Sequence, residues 1–96
     1  MKPLSITDVT SKLSELSGWT LDTKAPSISA TFNFKDFVSG LKFVNDIGEL
    51  AEKENHHPDI FLTWGKVTVT FWTHVAHGVT ELDLKLAALV NQLPST

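Results

Sequence analysis

Hydrophobic and polar positions alternate in two different rhythms along this chain, and the rhythms divide it into seven segments. Val9, Leu13 and Leu16 recur at i, i+4, i+7, the spacing of one helix face. Thr7 is placed to cap that helix and Gly18 to stop it. Trp19 and Leu21 predict a short strand, and Asp22 to Ser27 a turn. From Ile28 to Phe34 the period falls to two: Ile28, Ala30, Phe32 and Phe34 alternate with Ser29, Thr31 and Asn33, a half-buried strand. Asp36 then caps a second helix. Its apolar stripe runs Phe37, Leu41, Val44, Ile47, Ala51, and it ends near Asn55.

A second strand pair follows. Asp59 to Trp64 and Val67 to His74 flank Gly65-Lys66, a connection of hairpin length. In the latter strand Val67, Val69 and Phe71 share one face, and Thr68, Thr70, Trp72 and His74 the other. The segment VAHGV is a loop. Thr80 opens a last helix that buries Leu82, Leu86, Leu89, Val90 and Leu93, with Pro94 just beyond. The order is α-β-β-α-β-β-α. It predicts an α+β fold: a four-stranded antiparallel sheet with three helices packed on one face. The other sheet face, or a sheet edge, is left for self-association.

A chain of 96 residues fits one domain, 1–96, with one core. Its 42% hydrophobic and 20% charged residues are ordinary for a globular protein. A net charge of -3 offers no broad basic surface for nucleic acid or anionic lipid. With no cysteine, disulfides, thiolate nucleophiles and cysteine zinc sites are excluded. The N-terminal stretch lacks the apolar run of a secretory signal, and the longest apolar run, Leu86 to Val90, is too short to span a membrane. A soluble, cytoplasmic protein is the expectation.

The candidate chemistry lies in Glu54 to Trp64, ENHHPDIFLTW. His56 and His57 follow directly on the long helix, whose C-terminal carbonyls favour imidazolium. Pro58 biases His57 towards an extended backbone. Each ring therefore has a set direction, as acid–base work requires. Histidines at helix ends also satisfy carbonyls or face solvent. His74 adds weight to the functional reading, because a hairpin beginning at Pro58 returns its far end beside its start. Asp83, three residues after Thr80, resembles a capping-box residue as much as a site residue. Glu52, one turn before His56, is placed to orient that ring or its neighbourhood, or to sit solvated on the surface. Trp64 and Trp72 fit packing, and His77 beside Gly78 fits an exposed loop. Zinc is disfavoured: extended neighbours such as His56 and His57 point apart, and no HExxH pair occurs. There is no G-x-S-x-G and no glycine-rich phosphate loop.

Taken together, Glu52, His56-His57-Pro58, Trp64, His74 and Asp83 resemble the histidine motif of the pterin-4a-carbinolamine dehydratase family. FNFKDF, ELAEKENHHPD, VTVTFWTH, GVTELDLKLA and SGWT are similar to further family segments, so the resemblance covers nearly the whole chain. It implies dehydration of 4a-hydroxytetrahydropterin to quinonoid dihydropterin with no metal or organic cofactor, in recycling of the pterin used by aromatic amino acid hydroxylases. It also implies His56, His57 and His74 as catalytic and substrate-binding residues. Glu52, Asn55, Pro58, Trp64, Thr73 and Asp83 are implied as substrate-binding or supporting. Asn55 stands where some members carry Asp, and His77 where a small residue is common. Family members are commonly dimers or tetramers, so a homodimer or homotetramer is expected, with a pterin substrate and no direct nucleic-acid or membrane partner. Some animal members serve as dimerisation cofactors of a homeodomain transcription factor. The competing reading is accordingly a non-enzymatic dimerisation or scaffolding module on the same fold. A metal-dependent hydrolase is a more distant third.

Overall fold

The structure, a computed structural model, describes residues 2–94. Helix α1 spans Ile6–Leu13, strands β1 and β2 span Thr20–Asp22 and Ser27–Asn33, and helix α2 spans Phe37–Glu54. Strands β3 and β4 span Asp59–Thr63 and Lys66–Phe71, a short 3₁₀ turn covers His74–Ala76, and helix α3 spans Glu81–Asn91. The four strands pair antiparallel in the order β1-β2-β4-β3, so the expected α+β architecture is the observed one. β1 and β3 are its edges.

The period-two pattern decides which sheet face is covered. Ile28, Ala30, Val67, Val69 and Phe71 are buried, and Leu21, Phe32, Ile60 and Leu62 pack beside them. Against them lie Val9 and Leu13 of α1, Phe43 and Ile47 of α2, and Leu86, Ala87 and Val90 of α3. Trp19 closes the core near β1 and donates its indole N–H to Asn91 Oδ1 at 2.9 Å. The opposite face is hydroxyl-rich. Ser29 and Thr70 bond at 2.7 Å, and Thr31 and Thr68 at 3.1 Å, both across β2 and β4.

Several boundaries differ from the sequence expectation. Ser5, not Thr7, caps α1, accepting from the Asp8 N–H at 3.0 Å. Asp36 caps α2 as expected, accepting from the Ser39 N–H at 2.9 Å. The buried stripe of α2 is Gly40, Phe43, Ile47 and Ala51, while Phe37 and Leu41 are exposed flanks. Gly40 explains the rotation. A Cβ there would stand 3.2 Å from Leu62 Cδ1, so the helix settles on the sheet along its glycine. The β3–β4 turn is Trp64-Gly65, because Thr63 pairs with Lys66. β4 also stops at Phe71, short of the expected His74. Thr73 forms an isolated bridge with Gly78, and the intervening residues wind into the 3₁₀ turn.

Candidate acid–base site

Helix α2 ends on a left-handed residue. Asn55 has φ 53° and ψ 43°, a conformation that asparagine tolerates better than most residues. The His56 N–H then reaches back to the Ala51 carbonyl at 3.1 Å, closing the helix end. This turn separates the two adjacent histidines. His56 goes inward, with 12% of its side chain exposed, and His57 outward, with 56% exposed.

His56 is held from across the fold. Its Nε2 lies 2.5 Å from Oδ1 of Asp83, which is fully buried on the first turn of α3. Its ring lies nearly parallel to that of Phe71, at 14° and 6.1 Å between centroids. The other oxygen of Asp83 accepts from the Thr73 hydroxyl at 2.8 Å and from the Thr80 N–H at 2.9 Å. The single hydroxyl proton of Thr73 is thereby used, so the Thr80 hydroxyl, 2.8 Å away, is the donor to Thr73. Asp83 thus caps α3, as the spacing from Thr80 predicts, and also orients His56. An ionised carboxylate only accepts, so the His56 proton sits on Nε2. Nδ1 has no protein partner among the described residues. No described buried side-chain nitrogen or oxygen is left unpartnered, so Nδ1 is open to solvent.

The exposed histidines are held locally. His57 Nε2 pairs with Glu52, which is 79% exposed. The spacing of Glu52 one turn before His56 leaves it to orient that ring or its neighbourhood, or to sit solvated on the surface, and here it is an exposed neighbour of the histidine pair. The left-handed Asn55 breaks the helical spacing and brings His57 over Glu52. His74 opens the 3₁₀ turn and stacks on Trp72, with centroids 3.9 Å apart and 25° between planes.

Asn55, His56, His57, Trp72, Thr73, His74 and Val75 line one cavity of 310 Å³. Two ends of the chain's elements, the α2 exit and the β4 exit, therefore meet there. Trp64 lies elsewhere: it is 68% exposed in the β3–β4 turn, about 17 Å along the strand from Asp59. Pro58 is half-buried and outside the lining, where its effect is on the backbone of His57. Trp72 and Thr80 are additions. The sequence signals for them were the alternation that sets Trp72 beside His74 and the three-residue spacing from Thr80 to Asp83. His77 is exposed, yet its φ of 56° makes it, rather than Gly78, the left-handed residue of its loop. Among the described residues no three histidine or carboxylate side chains converge as a metal site.

On this four-stranded α+β sandwich a buried carboxylate holds one imidazole at the wall of a cavity that two further imidazoles line, an arrangement that suits proton transfer. The chain belongs to the family described as pterin 4 alpha carbinolamine dehydratase, whose model matches residues 2–93. A relative from Rhizobium johnstonii, provisionally named a pterin-4-alpha-carbinolamine dehydratase, is 48% identical over 91% of this chain and 86% of its own. One from Nostoc sp., named in the same provisional way, is 43% identical over 94% and 95%. The crystal structure of a Brucella melitensis protein described as a transcriptional coactivator/pterin dehydratase superposes with a TM-score of 0.89. It is 37% identical, covering 94% of this chain and 96% of that one. A pterin dehydratase-like RuBisCO assembly factor of the alpha-carboxysome shares the fold, with a TM-score of 0.66 at 23% identity over 77% and 86%. No described helix is long and apolar enough to cross a membrane.

Proposed function

We propose that this chain dehydrates a 4a-hydroxytetrahydropterin to the quinonoid dihydropterin, by histidine acid–base catalysis without a metal or organic cofactor. The observation that carries this is the bond from buried Asp83 to His56, whose ring opens into the three-histidine cavity. In the reaction the C4a–O bond breaks and a ring nitrogen supplies the electron pair for the new C=N bond. That nitrogen loses its proton, and the departing oxygen gains one to leave as water. His56 takes the nitrogen proton at Nδ1, while Asp83 holds the Nε2 tautomer, the division of labour of other carboxylate–histidine pairs. His57 and His74 are the imidazoles available to supply the proton to oxygen. Each well-placed proton transfer is worth about 10²–10⁴-fold in rate. The protein acts on pterin as a homo-oligomer and serves reactions, such as aromatic hydroxylation, that leave the pterin as its carbinolamine.

The test is to generate the carbinolamine rapidly and follow its loss with and without the protein. Acceleration is expected, and it should persist in chelator. His56→Ala and His74→Ala should each lower turnover about 10²-fold or more, whereas His77→Gly should retain it. Loss of activity on chelation with recovery on adding zinc would overturn the metal-free mechanism.

The two structural neighbours, one described as a transcriptional coactivator/pterin dehydratase and the other as a RuBisCO assembly factor, motivate the alternative of an interaction module. Exposed Val38, Phe37 and Leu41 along α2 are residues such a module would use. A module of that kind has no use for a buried carboxylate that holds an imidazole open to a cavity, and the dehydratase reading is preferred for that reason.

A further inference from the structure

The histidine cavity shares a wall with a second cavity. Trp72 lines both. On one side its indole stacks on His74. On the other it encloses, with Ala25, Pro26, Ser27, Asp59 and Thr70, a space of 250 Å³ beside the hydroxyl-rich sheet face. The two are continuous along the chain as well. Asp59 lies two residues past His57, and Thr70 is its partner across β3 and β4.

The lining of the second cavity is selective. Ala25, Pro26 and the indole offer carbon surfaces that suit C–H groups. The Thr70 hydroxyl is already engaged with Ser29 at 2.7 Å. Asp59 is an exposed residue of the lining whose side chain has no protein hydrogen-bond or ion-pair partner among the described residues, and a carboxylate only accepts. A matching ligand therefore brings donors. No lysine, arginine or histidine lines the cavity, so an anionic group would meet Asp59 without a compensating cation.

We propose that Trp72 and Asp59 determine which substrate is accepted. The bicyclic ring of the pterin occupies the histidine cavity, and its ring substituent passes over the Trp72 indole into the second cavity. There Asp59 selects a neutral hydroxylated chain over an anionic one. This rests on the dehydratase reading and adds the class of substituent to it.

Three carbinolamines test it on the purified protein: one bearing a methyl group, one a dihydroxypropyl chain, and one the phosphate monoester of that chain. The native protein should favour the diol over its phosphate ester in kcat/KM. Asp59→Asn should shrink that preference about tenfold, mostly through KM, since a hydrogen bond to a charged group is worth about a factor of ten or more. Trp72→Ser should lower the preference for diol over methyl, and Trp72→Phe should restore it. If Trp72→Ser does not fold, Trp72→Phe and Asp59→Asn carry the test. Unchanged ratios in Asp59→Asn, or equal use of diol and phosphate ester by the native protein, overturn the subsite while leaving the dehydratase reading intact. Failure to turn over any of the three overturns both.

Discussion

His56 and His57 are neighbours in sequence and opposites in support. His56 is gripped by groups distant along the chain: Asp83, 27 residues on, and behind it Thr73 and Thr80. His57 is gripped by Glu52, five residues back, and both are mostly exposed. Water screens the second pair and competes for it, so exposed ion pairs contribute only about 0–1 kcal/mol. The first pair is shielded, and removing one partner strands the others without water to replace them. One side of the cavity is therefore a fixed part of the fold, and the other is adjustable.

Asp83→Ala tests the fixed side most severely. It leaves His56 Nε2, the Thr73 hydroxyl and the Thr80 N–H without their acceptor. A loss of about 3 kcal/mol is expected in denaturant unfolding, with turnover falling about 10²-fold or more in the fraction still folded. Capping alone would cost only about 1 kcal/mol. Normal turnover in a destabilised Asp83→Ala protein would reduce Asp83 to a cap and break the contrast between the two histidines.

Thr73→Val is the next step down. It keeps the shape and removes one donor to Asp83, so about 1–2 kcal/mol of stability should be lost. If Thr73 acts by holding Asp83 against His56, the pH profile of turnover should change as well, and Thr73→Ser should restore both properties. A stability loss with an unaltered pH profile would make Thr73 purely structural.

Asn55 is where the two sides diverge. Asn55→Ala keeps the β-carbon in the left-handed region but removes the side-chain amide that makes it tolerable, at about 1 kcal/mol, while Asn55→Gly removes the β-carbon as well and relieves the strain. Melting temperatures should rank Gly at or above the native protein and Ala below it. Equal melting for all three would mean that the backbone relaxes to another conformation, and the inward and outward directions of His56 and His57 would need another cause.

The same contrast explains what was legible in the sequence. The period-two runs at Ile28–Phe34 and Val67–Phe71 identified the core face, because alternation leaves only one choice of side. The spacing of Thr80 and Asp83 identified a cap, because capping is local. Helical spacing was less decisive for α2: of the stripe Phe37, Leu41, Val44, Ile47, Ala51 the last two are buried, but Phe37 and Leu41 are exposed and Gly40 and Phe43 face the sheet in their place. A glycine contact with Leu62 chose between them. The convergence of His74 on His56 and His57 followed from hairpin geometry. The partners of the histidines did not. Helical spacing leaves Glu52 beside His56, in its neighbourhood or in solvent, and one left-handed residue settles it as an exposed partner of His57; the bond from Asp83 to His56 spans the fold and has no local signal.

The smallest effect belongs to a pair that ties the same helix end to α3 from outside. Lys85 Nζ lies 2.8 Å from Glu54 Oε1, and this hydrogen bond holds the Glu54 carboxyl below the ordinary glutamate value of 4.5. A carboxyl depressed on folding stabilises the native state above its unfolded pKa. That contribution is lost as pH falls through the folded value, so the window lies below about pH 4.5. Glu54→Gln should therefore lower the melting temperature slightly at neutral pH, and the gap to the native protein should close as acid protonates Glu54. The gap should also narrow in high salt, because the pair is exposed enough to be screened. Turnover should stay close to native, since neither residue lines the histidine cavity. A loss in turnover comparable to that of Asp83→Ala would show that the α2 end, rather than the buried carboxylate, is what holds His56 in place.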